Sequence, residues 1–265
     1  MGRSMNLLKT LLYGLISGIT EILPVSSGGH QAVFRKIFGE TQHFGIYNIF
    51  IHIGILLALL YSCKPMLRRI RNSARGAFSG DRRVVKDATV PFVIVSVALM
   101  LFCTVNPGLL WVAVLFALNG IVLFIPSRMA LGNKDARSMS VLDSMLIGFL
   151  GALSAFSGLS RIGTMTTVAS ARGALKQYGV IWALALSVPA MVILIISDIY
   201  IAITQGVSFY FSQFVHYLFA FIGSFCGGCI AVRALRKLIK SIDLSFLSYY
   251  LWGMALLTFI LYLMI

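Results

Sequence analysis

The chain alternates long apolar runs with short polar or basic connectors. Apolar segments occupy residues 5–25, 46–63, 89–105, 110–126, 141–156, 178–200, 211–232 and 244–265. Several reach the ~17–25 residues that a helix needs to cross the hydrocarbon core. Lipid offers the backbone no hydrogen-bond partner, so a segment that crosses must be helical. Turn or charge clusters separate the segments: the basic stretch 64–88, NPG at 106–108 and SRMALGNKDARS at 127–138. No interval reads as a soluble domain. The pattern predicts an all-α polytopic membrane protein with a single integral membrane domain over residues 1–265.

Composition sharpens this picture. Charged residues are 11% of the chain and mean hydropathy is +0.93, whereas a soluble domain carries roughly 25% charged residues. The net charge of +14 resides largely in four connectors, which hold 17 of the 22 Lys and Arg residues: 64–88, 127–141, Arg172 with Lys176, and RALRKLIK at 233–240. Basic loops beside apolar spans are what the positive-inside rule produces, so the charge calls for no nucleic acid. The cysteines do not form a disulfide framework, and Cys226-Gly-Gly-Cys229 lies within an apolar span, where small residues serve helix packing. After Arg3 and Lys9 the N-terminus shows no small-residue cleavage site and reads as retained.

The charge rule also sets a topology. With 64–88 inside, span 46–63 runs inward, 89–105 outward and 110–126 inward. Span 178–200 then runs outward, 211–232 returns inward and 244–265 ends outside, so all four basic clusters share one side. Segment 141–177 must therefore enter and leave from the inner face as a re-entrant hairpin. Arg35 and Lys36 fall on the outer side and strain this scheme slightly.

The same segment is one copy of an internal repeat. GLISGITEILPVSSGGH (14–30) aligns without gaps on GFLGALSAFSGLSRIGT (148–164), pairing Gly14 with Gly148, Thr20 with Ser154, Ser26 with Ser160 and Gly29 with Gly163. A second copy entering from inside requires the first to enter from outside. The expectation is about six transmembrane helices plus two re-entrant helical hairpins in an inverted-topology repeat, repeat 1 over about 5–126 and repeat 2 over about 141–265, with broken helices meeting near the midplane.

Ionisable groups at membrane depth are costly and mark function by default. Glu21, His30 and Arg161 lie in the two hairpin motifs, His52 within a span, and Asp198 and His216 near span ends. The repeat would bring Glu21 and Arg161 to one site, whether as catalytic partners or as a structural ion pair. Small residues at both tips, Gly28 and Gly29 among them, allow backbone N–H groups to face an anion. Arg161 adds a planar fork for phosphate oxygens, while Ser26, Ser27, Ser160 and Thr164 supply hydroxyls. His30 can exchange a proton near neutral pH. These groups together suit an anion, phosphate above all, reached from within the bilayer. The alternative is a hairpin whose polar side chains only satisfy unwound backbone.

GITEILPVSSGGH (18–30) resembles the signature of the undecaprenyl-diphosphate phosphatase (bacitracin-resistance) family, and SGLSRIGTM (157–165) its second motif. The likeness extends over most of the chain, including YNIFIHIGILLALL near 47–60 and LALSVPAMVILIISDIY at 184–200. The resemblance implies two inverted re-entrant hairpins among about six spans in the bacterial plasma (inner) membrane. It implies removal of the terminal phosphate from undecaprenyl diphosphate, which recycles the cell-wall lipid carrier. Glu21, Ser27, His30 and Arg161 match functional residues: Arg161 grips the diphosphate and Ser27 or His30 is nucleophile or proton carrier. Glu21 activates the nucleophile or holds a divalent cation, Mg2+ or Ca2+. The partners expected are a polyprenyl (di)phosphate lipid and the membrane; a homodimer is among the states the sequence allows.

Four of this chain's departures from the family pattern bear on the site. Ser17 replaces a glutamate, Ser157 a proline, Ile162 a serine and Met165 a threonine that has neighbours in Thr164 and Thr166. The departures leave open a second reading, a transporter or flippase that binds a polyprenyl phosphate without hydrolysing it.

Overall fold

A computed structural model describes residues 6–38, 45–72, 79–102, 108–129, 132–240 and 244–264. Arg3, Cys103, Asn106 and Pro107 lie outside the described residues. The helices are α1 (Leu7–Ile22), α2 (Ser27–Phe38), α3 (Gly45–Ser62), α4 (Lys64–Asn72), α5 (Ser79–Phe102) and α6 (Leu109–Arg128). They continue with α7 (Val141–Ala152), α8 (Arg161–Ala171), α9 (Lys176–Thr204), α10 (Phe214–Lys240) and α11 (Phe246–Leu263). Among the described residues, the only extended pairing is an isolated bridge between Lys134 and Ala174.

Six helices, α3, α5, α6, α9, α10 and α11, carry stretches long and apolar enough to cross a membrane. The chain is a multi-pass membrane protein. Helices α1, α2, α7 and α8 have 16, 12, 12 and 11 residues, short of the ~20 that a crossing needs. They form two hairpins. In the first, Tyr13 packs on Phe34 and Lys9 sits over the Phe38 ring, so the free ends of α1 and α2 are neighbours. In the second, Arg172 Nε donates to Asp143 at 2.5 Å, tying the end of α8 to the start of α7.

The basic connector 64–88 is more structured than its hydropathy suggests. It holds α4 and the first turns of α5, because charged residues at helical spacing leave an apolar stripe that buries Ile70, Val84 and Ala88. Likewise α10 runs on through RALRKLIK instead of ending near residue 232. The four basic clusters gather at one end of the bundle. Arg83 donates to the carbonyls of Ala136, Arg137 and Met139. Arg236 donates to the carbonyl of Ser62, and Trp182 to Asp81.

Small residues let the helix backbones touch. A Cβ on Gly14 or Gly18 of α1 would overlap the carbonyl oxygens of Ala220 and Ser224 on α10. A Cβ on Gly148 of α7 would overlap that of Ala88 on α5. Association of helices in lipid depends on this close approach, and Gly223, Gly227 and Gly228 use the CGGC region of α10 in the same way. The helix pairings also repeat: α1 lies on α10 as α7 lies on α5, and α3 meets α10 as α9 meets α5. Helix α3 meets α9, and α6 meets α11.

Candidate active site

The hairpin tips face each other. Each second arm starts from a serine that caps it: Ser26 Oγ accepts from Gly29 N at 3.4 Å, and Ser160 Oγ from Gly163 N at 3.2 Å. The aligned pairs Ser26/Ser160 and Gly29/Gly163 thus occupy the same local positions. Ser26 has a φ of 70°, a conformation that costs a non-glycine residue about 1–3 kcal/mol. Its hydroxyl is fixed from the opposite tip by Gly158 N at 2.9 Å. Ser160 N in turn donates to Asn119 Oδ1 on α6 at 3.2 Å. Gly28 faces Ser157, where a Cβ would stand 2.9 Å from the Ser157 hydroxyl.

At this junction the carboxylate of Glu21 receives two donors, the Ser27 hydroxyl on Oε2 and the Arg161 guanidinium on Oε1. Its side chain and that of Arg161 are 10% and 7% exposed. The sequence reading brings these three together, and the structure does so. Four side-chain atoms of α8 are buried without a protein partner, Arg161 Nε, Thr164 Oγ1, Thr166 Oγ1 and Ser170 Oγ, the first two in its opening turn. Groups of this kind call for an acceptor, and phosphate oxygens supply one.

His30 stands beside this cluster with different neighbours. Its Nδ1 lies 2.7 Å from the Ser26 carbonyl oxygen and its Nε2 2.6 Å from the Tyr250 hydroxyl on α11. A carbonyl only accepts, so Nδ1 carries the proton and, in the neutral ring, Nε2 accepts from Tyr250. Phe116 of α6 meets the imidazole edge-on. No spacing in the sequence points to Tyr250, Phe116 or Asn119. They reach the site from helices far along the chain.

The departures from the family pattern have local explanations. Ser17 is fully buried, donates to the Tyr13 carbonyl and accepts from Gln31 Nε2 at 3.0 Å. A neutral pair across the first hairpin therefore stands where a carboxylate is expected. Ile162 and Met165 belong with Ala169 to the stripe of α8 that packs into the apolar core. They point to packing, not to a ligand.

A divalent cation does not fit the groups present. The one carboxylate at the junction has both oxygens engaged, and among the described residues no three His, Cys, Asp or Glu side chains gather at a point. A divalent cation favours several oxygen ligands.

Elsewhere His52 Nδ1 and Asp198 Oδ2 pair at 2.5 Å between α3 and α9. Asp198 thus lies inside α9, which runs on to Thr204, and has a buried partner rather than sitting at a span end.

The fold and this junction define a class: integral membrane proteins with a buried Ser-Glu-Arg cluster where two helical hairpins meet. The chain belongs to the bacitracin resistance protein BacA family, whose sequence profile matches residues 10–257. Among similar proteins is an undecaprenyl-diphosphatase of Carboxydothermus hydrogenoformans, 26% identical over 94% of each chain. One from Methanococcus maripaludis is 29% identical over 92% of this chain and 95% of its own. Another, from Thermodesulfovibrio yellowstonii, is 29% identical over 97% of both.

Proposed function

We propose that this protein is a phosphatase that removes the terminal phosphate of undecaprenyl diphosphate and so recycles the lipid carrier of cell-wall synthesis. The observation that carries this reading is the Glu21 carboxylate shared by the Ser27 hydroxyl and the Arg161 guanidinium. A site that only binds phosphate has no need of a hydroxyl held on a base; a nucleophile does. Ser27 Oγ attacks the terminal phosphorus and its proton passes to Glu21. The bond to the bridging oxygen breaks, and polyprenyl monophosphate leaves with a proton from His30 Nε2, which takes that proton from solvent as the substrate binds. Glu21 gives its proton to solvent, then takes one from the water that attacks the phosphoserine and returns it to Ser27 Oγ as the serine–phosphorus bond breaks and inorganic phosphate leaves. Arg161, Thr164, Ser160 and the backbone at Gly28 and Gly29 hold the phosphate oxygens, with Ser26 keeping the tips in register.

The hairpins are read as re-entrant and of opposite orientation, supported by arms too short to cross and by the repeated helix pairings. The location is the bacterial plasma membrane, with the basic end inside. A second copy of the chain is a partner for cross-linking to test. A divalent cation, Mg2+ or Ca2+, would have to be held chiefly by the substrate's own phosphates.

The test is phosphate release from undecaprenyl diphosphate by detergent-purified protein. Glu21→Gln should slow release by about 10²–10⁴-fold, and Ser27→Ala should leave no phosphoenzyme. Wild type that binds the lipid yet releases phosphate no faster than Ser27→Ala would establish the non-hydrolytic carrier instead.

A further inference from the structure

The cluster is shut. Ser27, His30 and Arg161 are 8%, 6% and 7% exposed, so a diphosphate headgroup reaches them only if something moves. The contacts of His30 single out what moves. Its Nδ1 is committed to the Ser26 carbonyl, which leaves Nε2 as the one nitrogen with which it can act. Tyr250 occupies that nitrogen through its hydroxyl. The two ring planes are nearly parallel, 7° apart, with centroids at 5.7 Å in a stacked arrangement, and from there the phenol hydroxyl reaches Nε2.

Tyr250 differs from the other groups around His30. Phe116 is fully buried and Ser26 nearly so, whereas Tyr250 is 45% exposed and its neighbour Tyr249 is 62% exposed. The helix that bears it, α11, packs along α6 and touches other helices only sparsely. An exposed residue on a singly supported helix therefore blocks the working nitrogen of a buried histidine.

We propose that Tyr250 is the latch of the site: its hydroxyl holds His30 Nε2 while the site is empty, and the lipid diphosphate, arriving from the side of α11, takes its place. This rests on the phosphatase reading for His30's role in turnover, but the Tyr250–His30 bond stands on geometry alone. A phosphate oxygen only accepts, so in the substrate complex Nε2 carries the proton that His30 then supplies; the phenol, donating to the bare nitrogen, opposes that state, and removing its hydroxyl favours it. One neutral hydrogen bond corresponds to about fivefold in an equilibrium constant.

The experiment compares wild type with Tyr250→Phe, which keeps the ring and its packing. The expected result is a KM for undecaprenyl diphosphate about fivefold lower with kcat retained. Diethyl pyrocarbonate labelling of His30, followed by mass spectrometry of the peptide that contains it, should speed up by a similar factor as the lone pair is freed. A labelling rate at the wild-type value overturns the proposal. So does a fall in kcat at unchanged KM, which marks a proton relay through the phenol or a merely structural contact. Labelling needs no turnover: if neither protein hydrolyses the lipid, the phosphatase reading fails and the labelling rate still decides the latch.

Discussion

Arg161 sits between a carboxylate and an unfilled set of donors, and its planar fork lets it serve both. Lysine offers a point charge in place of a fork. Arg161→Lys should therefore weaken binding of the lipid diphosphate by about 10–100-fold, the range of one to two hydrogen bonds to charged groups, as measured by equilibrium binding in detergent. Ser17 carries a second prediction. A glutamate there would stand one helical turn before Glu21 and give the junction two carboxylates. Ser17→Glu should make phosphate release more dependent on added Mg2+ or Ca2+ than it is in wild type, read by titration against a chelator. The groups legible in the sequence were those within contiguous motifs: Glu21, Ser27, His30, Arg161 and Thr164. Tyr250 was not legible because it lies 220 residues from His30. A tyrosine beside another tyrosine in an apolar helix carries no periodic sign of what it faces. The neutral Ser17–Gln31 pair was hidden in the same way, since only the return of α2 along α1 makes them neighbours.

Among the elements, the long apolar helices and the break at PVSSGG could be read directly, because hydropathy reports burial in lipid and small polar residues report a turn. The onset of α5 could not, since ten residues rich in Arg, Lys and Asp look like a connector until their spacing is considered. The α3–α9 contact was equally silent, although it carries the buried His52–Asp198 pair, whose side chains are 9% and 11% exposed. Removing one member of such a pair leaves the other buried and alone, at a cost of about 3–5 kcal/mol, whereas replacing both by apolar residues is often neutral. His52→Leu should thus lower the thermal unfolding midpoint in detergent, and His52→Leu combined with Asp198→Leu should recover most of it. A double variant as unstable as the single one would show that the pair does more than satisfy itself.

The molecule as a whole follows from two facts visible in the chain: the basic connectors share one face, and a short Gly/Ser segment occurs twice. Neither fact shows that the copies meet, because tip-to-tip contact depends on how the spans pack. Two of the bonds that join the tips cross from the first half of the chain to the second, Glu21 to Arg161 and Ser26 to Gly158. Co-expressed fragments 1–133 and 134–265 should restore phosphate release in membranes, and neither fragment alone should show any. A centre assembled this way is inherited as one unit even though it is written in two places. Each hairpin supplies what the other lacks, the first the acid and hydroxyl and the second the guanidinium. Neither can be lost or exchanged between lineages without its counterpart. The asymmetry between PVSSGGH and SGLSRIGT is then a division of labour, fixed by the contacts at which the two tips face each other.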